Sequence, residues 1–184
     1  MIVWVQEIAP IFYRGTIHPM TKNLSPEEYY NSLEYYRSLP SKRMAAGALF
    51  VNQQNEILLV HPTYKPRWEI PGGVTEIDES PRTCVQREVQ EEIGLDREIG
   101  RLLVVEYQPR VGVKTESLMF IFDGGILTAA QIAAIRLPAA ELDGFDFFPA
   151  DALPEAMSAT LRRRVQRAYT ERMNFTDSYF ENQL

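Results

Sequence analysis

Three glutamates, Glu88, Glu91 and Glu92, are spaced so that their carboxylates can act together. On a helix, residues three and four positions apart lie on one face. Three like charges there repel one another, so this face favours a bound cation, and carboxylate oxygens suit hard divalent ions such as Mg²⁺ or Mn²⁺. The spacing therefore predicts a divalent-metal site. The alternative is a solvated acidic helix face, which is what most charge clusters are.

The residues around the glutamates predict the helix that this site needs. Ser80 suits the N-cap position, and Pro81 at the first helical position has no N–H to lose. Gly94 is placed to end the helix. An apolar stripe beside the acidic face can bury against a sheet, and it consists of Val85, Val89 and Ile93. Before the helix, Pro71-Gly72-Gly73 predicts a turn at which a backbone carbonyl can approach a metal closely.

The stretch from Gly73 to Leu95 resembles the Nudix box, G-x5-E-x7-R-E-U-x-E-E-x-G-U, in which U is aliphatic. Every fixed position is filled in register, by Gly73, Glu79, Arg87, Glu88, Val89, Glu91, Glu92, Gly94 and Leu95. The resemblance covers about Met44 to Ala168 and implies an α/β fold, an α/β/α sandwich with a mixed β-sheet. It also implies an enzyme that hydrolyses a diphosphate linked to another group, often a nucleoside diphosphate derivative, with Mg²⁺ or Mn²⁺ as cofactor.

The same resemblance implies roles for individual residues. The implied metal ligands are three carboxylates and one backbone carbonyl, those of Glu88, Glu91, Glu92 and Gly72. We expect Glu88, Arg87 and Glu91 to form the catalytic group, with Glu88 as the base or metal-bridging residue. Arg87 is expected to hold a carboxylate, since its fork suits bidentate pairing; the alternative is an exposed helix arginine. Glu79 is expected to orient the loop before the helix.

The sequence contains no clear motif for the residues that bind the part of the substrate beyond its diphosphate. Trp68 can stack on a base or fill the core, and both readings stay open. Arg67 and Tyr64 lie in a segment that can border the cleft. Nudix proteins often take a further acid from outside the box, and Glu141 and Glu116 are candidates; the alternative for each is an ordinary surface charge. No motif chooses among oxidised nucleotides, nucleotide sugars, ADP-ribose, dinucleoside polyphosphates and capped RNA.

The pattern of apolar residues divides the chain into an N-terminal extension (1–43), a Nudix hydrolase domain (44–173) and a C-terminal tail (174–184). In the domain it predicts strands at AAGALFV, EILLVHP, 101–107, 118–122 and 145–148, and helices at 128–135 and 153–173. We expect the arginines of the last helix to form a solvated face rather than to hold phosphate. The tail is expected to be an arm or partly disordered.

In the extension, residues 2–13 read as extended segments and residues 23–38 as one helix. The helix is rich in tyrosine, and packing or a subunit contact is a better explanation for these rings than a cofactor stack. We expect the extension to pack across a two-fold interface in a homodimer, the commonest oligomer.

The composition of the chain limits the kinds of partner that it is expected to bind. The chain has 184 residues, enough for one domain with a proper core, and its net charge of −6 argues against nonspecific nucleic-acid binding. The single cysteine, Cys84, excludes an internal disulfide and fits a reducing cytoplasm. No secretory signal and no membrane-spanning run is visible. The expected partner is a small diphosphate, with neither nucleic acid nor membrane.

Two other functions fit the same residues. One is a non-catalytic Nudix module that binds a nucleotide ligand as a sensor; the intact glutamates favour the enzyme, since a sensor need not keep all of them. The other is isopentenyl-diphosphate isomerase, which shares the fold. The chain has no cysteine placed as that enzyme needs.

Overall fold

The computed structural model describes residues 24–181, whose strands form one mixed sheet of seven strands. The strands are β1 (Arg43–Val51), β2 (Ile57–Pro62), β3 (Gly72–Val74), β4 (Leu102–Gln108), β5 (Ser117–Ile126), β6 (Leu142–Phe148) and β7 (Ser178–Glu181). The helices are α1 (Pro26–Tyr30), α2 (Leu33–Ser38), α3 (Pro81–Ile93), α4 (Ala129–Ala134) and α5 (Ala159–Asn174). The strand order is β6-β2-β1-β5-β4-β7, and β3 pairs with β1 beside this path. The described residues belong to two compact units, one that ends at Ser41 and one that begins at Lys42.

Helices α3 and α5 cover opposite faces of the sheet. Alternate residues of β1 fall into two separate apolar clusters, because side chains along a strand point alternately to the two faces. Ala48 and Phe50 pack with the apolar stripe of α3. Leu49 and Val51 pack with the apolar residues of α5, namely Leu161, Val165 and Ala168. The predicted α/β/α sandwich with a mixed sheet is therefore confirmed.

The sheet forks where the glycine-rich segment enters it. Strands β1 and β2 pair at Val51 and Ile57, and the segment from Trp68 to Val74 lies between them where they diverge. Glu69 exchanges backbone hydrogen bonds with Val60 of β2, at 2.8 and 3.0 Å, while β3 pairs antiparallel with β1. The predicted Pro-Gly-Gly turn is thus wrong, because Gly72 and Gly73 belong to a strand. Pairing with a strand distant in sequence overrides the turn preference of these residues.

Glycine is required in this strand at Gly72. Its φ is +147°, and a Cβ there would collide with the backbone of Ala46 and Gly47. The close approach of β3 to β1 therefore depends on the missing side chain.

Three further predictions of element bounds are wrong. The expected single helix over 23–38 is two short helices, because Ser32 caps α2 with its side chain and ends the first run. Helix α5 begins at Ala159 and not near Leu153, because Ser158 is its N-cap. Strand β5 continues to Ile126 and does not end at Phe122 as predicted, since Gly125 pairs with Phe50 of β1.

Residues Ser178–Glu181 of the C-terminal tail are part of the sheet, which corrects the expectation of an arm. Strand β7 pairs parallel with β4. Phe175, in the left-handed conformation, ends α5 and turns the chain. The buried carboxylate of Glu171 then accepts a hydrogen bond from the Thr176 hydroxyl, and Arg101 binds the carbonyls of both residues. These contacts fasten the chain at the turn from which β7 starts.

The described part of the N-terminal unit carries four tyrosines in edge-to-face contact, Tyr29, Tyr30, Tyr35 and Tyr36, with ring centroids 5.0–5.8 Å apart. Its capping residues, Ser25 and Ser32, fix the two short helices. The extended segments expected over residues 2–13 lie outside the described residues. Within residues 24–181, no helix is both long and apolar enough to cross a bilayer.

Candidate active site

Helix α3 holds the acidic residues, and its ends are those that the sequence predicts. The Ser80 hydroxyl accepts the N–H of Thr83 at 3.1 Å, and Pro81 follows as the first helical residue. Gly94 closes the helix with a φ of +69°. The buried side of α3, which includes Val85 and Val89, fixes the rotation of the helix about its axis. Glu88 and Glu92 lie beside this buried side and face β3.

Arg87 is the centre of an ion-pair network. Its Nε and Nη2 each donate to one oxygen of Glu79, both at 3.0 Å, which is the bidentate geometry of a strong pair. Its Nη1 donates to Glu88 at 2.9 Å and to Glu91 at 3.0 Å. One guanidinium thus holds three carboxylates in place, one before the helix and two on it.

The network separates the pKa values of its carboxyl groups. The hydrogen bonds from Arg87 lower the pKa of Glu79 to about 2, and the same contacts raise the pKa of Arg87. Burial raises the pKa of Glu88 above its ordinary value, although the hydrogen bond from Arg87 opposes the change. Glu79 is therefore a fixed anion, while Glu88 is a carboxylate with an increased affinity for a proton or a cation.

Glu92 points to β3 and not to Arg87. Its Oε2 accepts the N–H of Gly72 at 2.8 Å. Burial raises the pKa of Glu92 to about 7; the Gly72 hydrogen bond lowers it, and the charges of Glu88, Glu141 and Glu69 raise it further. The side chain most buried against the glycine segment thus titrates near neutrality, which is common at functional sites.

The two glycines of β3 make room for these carboxylates. Pro71 and Thr75 bond to β1, so the N–H and the carbonyl of Gly72 are directed to the outer edge of β3. A Cβ on Gly73 would overlap the carboxylate of Glu88. Backbone and carboxylate oxygens therefore meet along one short edge.

The three box glutamates do not converge on one point. Among residues 24–181, no group of three His, Cys, Asp or Glu side chains is gathered as a metal site. The expected cation between Glu88 and Glu91 is supplied by Arg87, and Glu92 is turned to Gly72. The donors nonetheless are all hard oxygens, the set that Mg²⁺ and Mn²⁺ prefer.

The other predicted residues lie in varied surroundings. Trp68 is half-buried, with its ring centroid 5.1 Å from those of His61 and Phe148. Tyr64 is 74% exposed and Arg67 is also exposed. Glu141 is exposed, but its charge acts on Glu92. Glu116 is bound by Lys42 and by the Tyr107 hydroxyl, so its carboxylate is already engaged elsewhere.

The sequence reasoning missed a buried ion pair between β4 and α5. Glu106 is fully buried and accepts hydrogen bonds from Arg164 and, at 3.3 Å, from Arg163. The arginines of α5 are therefore not all a solvated face: Arg164 is buried, and Arg172 binds Asp123 at 3.0 Å. A lone carboxylate within the apolar run LLVVEYQ was the available signal, because a buried glutamate needs a partner.

Comparison with known proteins gives the family. The NUDIX domain model matches residues 41–169. A MutT-like protein of Streptomyces ambofaciens is 34% identical over 74 residues, 40% of this chain and 48% of that protein. Diphosphoinositol polyphosphate phosphohydrolase 2 of Rattus norvegicus is 40% identical over 78 residues, 41% of this chain and 44% of that protein. The chain thus spans less than half the length of these curated relatives.

The fold agrees with this match. The crystal structure of a UDP-X diphosphatase superposes with a TM-score of 0.66 at 23% identity, over 87% of this chain and 76% of that one. At this identity the likeness shows the fold alone. The match to the family model, which covers most of the chain and includes the whole of helix α3 with its glutamates, decides the assignment: this chain belongs to the NUDIX family.

Proposed function

We propose that this protein is a metal-dependent pyrophosphohydrolase, which cleaves the diphosphate linkage of a nucleoside diphosphate derivative or a similar small molecule. The observation that carries the proposal is the position of Glu88. Its carboxylate lies directly against Gly73, it is held by Arg87, and burial raises its pKa. A carboxylate fixed in this way beside a glycine edge is suited to accept a proton from an attacking water.

We propose that four oxygen ligands of the chain would hold a divalent ion near this edge. They are the carboxylates of Glu88, Glu91 and Glu92 and the carbonyl of Gly72. When bound, the ion would neutralise part of the negative charge of the diphosphate, which otherwise repels the attacking water. Glu88 and Glu91 share a single donor nitrogen of Arg87, so a cation can replace that contact.

The pair of Arg87 and Glu79 fixes the position of the guanidinium when a cation replaces the contact of its Nη1 with Glu88 and Glu91. Because Nε and Nη2 of Arg87 bind Glu79, the guanidinium remains anchored when Nη1 releases Glu88 or Glu91. We assign Arg87 a positioning role, with Glu88 as the base and Glu91 as a second catalytic carboxylate. Trp68, Arg67, Tyr64 and Glu141 are the proposed substrate-binding residues, of which Glu141 is supported by its electrostatic effect on Glu92.

The names of the relatives support a diphosphate as substrate. One is named a diphosphoinositol polyphosphate phosphohydrolase and one solved structure a UDP-X diphosphatase. We propose that the partner is a small molecule and not a nucleic acid, in line with the net charge of −6. We further propose a cytoplasmic location, from the cysteine content, and a homodimer formed through the N-terminal extension. Sedimentation at several concentrations tests the dimer, which a monomer at all of them would exclude.

The test of the proposed function is a screen of diphosphates with Mg²⁺ and Mn²⁺, read as phosphate released after phosphatase treatment. We expect at least one substrate, and we expect Glu88→Gln to lower kcat on it by about 10²–10⁴-fold with a smaller change in KM. Gln86→Ala, at an exposed position of the same helix, is the control and should behave as the wild type. A Glu88→Gln enzyme within about threefold of wild type would contradict the role, since that is only about 0.65 kcal/mol of barrier.

The screen also separates the enzyme from the sensor. If no diphosphate is hydrolysed but one binds in the presence of Mg²⁺, the chain is a ligand-binding module and the proposed catalysis is wrong.

A further inference from the structure

A cleft lies at the end of the sheet that is remote from the box. Its volume is about 440 Å³, within the range of roughly 300–1,000 Å³ that is typical of small-molecule sites. Three segments line it: the turn between β1 and β2, which carries Glu56, the connection after β6, which carries Asp151, and helix α5, which carries Tyr169. None of the residues in this lining belongs to the candidate active site.

The register of β1 separates the cleft from the box. Gly47 of β1 pairs with Gly72, whereas Val51, at the other end of the strand, pairs with Ile57 just beyond the turn. Four strand positions separate these two pairs, about 13 Å, and the turn extends farther in the same direction. The cleft is thus a separate candidate site and not an extension of the box.

Hydrogen bonds fix the walls of the cleft. In the turn, the buried side chain of Asn52 accepts the N–H groups of Gln54 and Glu56. The Asn52 amide also donates to Oε2 of Glu56 at 2.7 Å. On the other side, Gln166 of α5 donates to the carbonyl of Ala150 at 3.1 Å. The walls are therefore held without a ligand, which lowers the cost of ordering the site when one binds.

The lining is acidic and includes one aromatic ring. It carries two carboxylates, those of Glu56 and Asp151, and no lysine or arginine. Among residues 24–181, no hydrogen-bond donor or ion-pair partner is found for Oε1 of Glu56 or for the Asp151 carboxylate. Tyr169 supplies the ring, and the face of an aromatic ring attracts organic cations. The charge and the ring therefore both favour a positively charged ligand.

An organic cation fits this lining better than a metal ion does. Hard divalent ions take about six oxygen ligands, whereas the cleft offers two carboxylates. Within residues 24–181, no three His, Cys, Asp or Glu side chains are gathered as a metal site, at the cleft or elsewhere. Pro149 and Ala150 also give the cleft apolar surface, against which a hydrocarbon stem can lie while its charged end stays with the carboxylates.

We propose that this cleft binds a small aliphatic amine, whose ammonium group pairs with the carboxylates of Glu56 and Asp151 and whose stem lies against the Tyr169 ring. The site is independent of the proposed hydrolysis, because it uses none of the box residues. It therefore stands or fails by its own measurements.

Calorimetry on the full chain, freed of divalent ions and kept at about 0.15 M salt to screen loose charge attraction, tests the site with putrescine. This diamine carries two ammonium groups at neutral pH, and butane-1,4-diol is its neutral counterpart of the same length. We expect one putrescine to bind per chain and the diol to bind at least tenfold more weakly. Equal affinities would show that the cleft does not select charge, and no putrescine binding would exclude the site; either result overturns the inference.

Variants of the lining test whether its own groups bind the amine. Asp151→Asn and Glu56→Gln should each lower the affinity for putrescine by about two- to fivefold, as for ion pairs at partly exposed sites. Tyr169→Leu should lower it by about two- to fivefold through loss of the ring. Glu155→Gln is the matched control, since Glu155 is exposed on the same connection, does not line the cleft and carries the same charge. An equal effect of Glu155→Gln and Asp151→Asn would show a response to net charge only and would overturn the inference.

NMR of the ¹⁵N-labelled chain then locates the amine. Putrescine should shift the backbone amides of Gln54, Glu56 and Asp151 and leave that of Gly72, beside the box carboxylates, unchanged. Glu92→Gln should bind putrescine as the wild type does. A shift confined to Gly72, or a loss of affinity in Glu92→Gln, would place the amine at the box and overturn the inference.

Discussion

Arg87 binds both oxygens of the Glu79 carboxylate, with two donor–acceptor distances of 3.0 Å. This pair joins the loop before α3 to the acidic face of the helix across eight residues of sequence. Because two of the three guanidinium nitrogens are used in it, the third is left to face Glu88 and Glu91. The positions of the Glu88 and Glu91 carboxylates therefore depend on Glu79, which is not one of the proposed metal ligands.

Replacing Arg87 by Lys should reduce kcat while leaving the fold intact. A lysine keeps the charge but cannot bind Glu79 in the bidentate manner and Glu88 at the same time. Loss of such an orienting partner typically costs about 10- to 100-fold in activity or metal affinity. Steady-state kinetics at several Mg²⁺ concentrations measure both effects. Arg82→Lys is the matched control, since Arg82 is an exposed arginine of the same helix. Equal kinetic constants for the two variants would contradict the positioning role of Arg87.

Divalent ions should stabilise the fold through Glu92. An ion that binds only the native state raises the free energy of unfolding, by about 2.7 kcal/mol at 100 times its dissociation constant. Thermal unfolding is followed during a titration with Mg²⁺ or Mn²⁺, in wild type and in Glu92→Gln. We expect the rise in melting temperature to be smaller in the variant. If both proteins respond alike, Glu92 is not a ligand.

Without metal, the contribution of Glu92 to stability should fall as pH rises. Burial raises its pKa from 4.5 to about 7 in the folded protein, so folding favours the protonated form. The contribution is fully present below pH 4.5 and is lost as the pH passes through about 7. Urea unfolding in EDTA at pH 5 and pH 8 should show Glu92→Gln gaining stability relative to wild type at the higher pH. A constant difference between the two proteins would show that the carboxylate is not desolvated.

The contact between Thr176 and Glu171 should stabilise the last strand. Thr176→Val keeps the shape of the side chain but leaves the buried carboxylate without this donor, and we expect a loss of about 1–2 kcal/mol in the free energy of unfolding. Thr170→Val is the control, since the Thr170 hydroxyl bonds an exposed carbonyl of its own helix. Urea unfolding of both variants decides the point, and equal stabilities would mean that the contact contributes nothing.

Helix α3 could be predicted from sequence because its signals are local. The cap at Ser80, the apolar stripe and the stop at Gly94 all lie within one short stretch. The same holds for the pairing of Arg87 with a carboxylate, though not for the choice of Glu79 as its principal partner. By contrast, β3 depends on β1, which lies about 25 residues earlier, and no local pattern reports such a pairing.

The buried ion pair between Glu106 and Arg164 could not be predicted for the same reason. Arg164 is one of several arginines in α5, and nothing in its neighbours distinguishes it from those that face solvent. Its environment is decided by Glu106, which is 58 residues earlier in the chain. A charge in an apolar strand indicates that a partner exists, but only the packing of α5 on the sheet decides which arginine it is.

The hydrogen bond from Gly72 to Glu92 makes one amide proton sensitive to the state of the site. Most strand amides bond to a neighbouring carbonyl and exchange with solvent only when the sheet opens. The Gly72 proton instead bonds to a carboxylate with a pKa near neutrality, at an edge where a cation is proposed to bind. Its NMR chemical shift and deuterium exchange rate should therefore follow protonation and metal loading of Glu92, while the amide of Val60, which bonds to the Glu69 carbonyl within the sheet, stays constant. A single glycine resonance thus becomes an internal probe of the proposed catalytic edge.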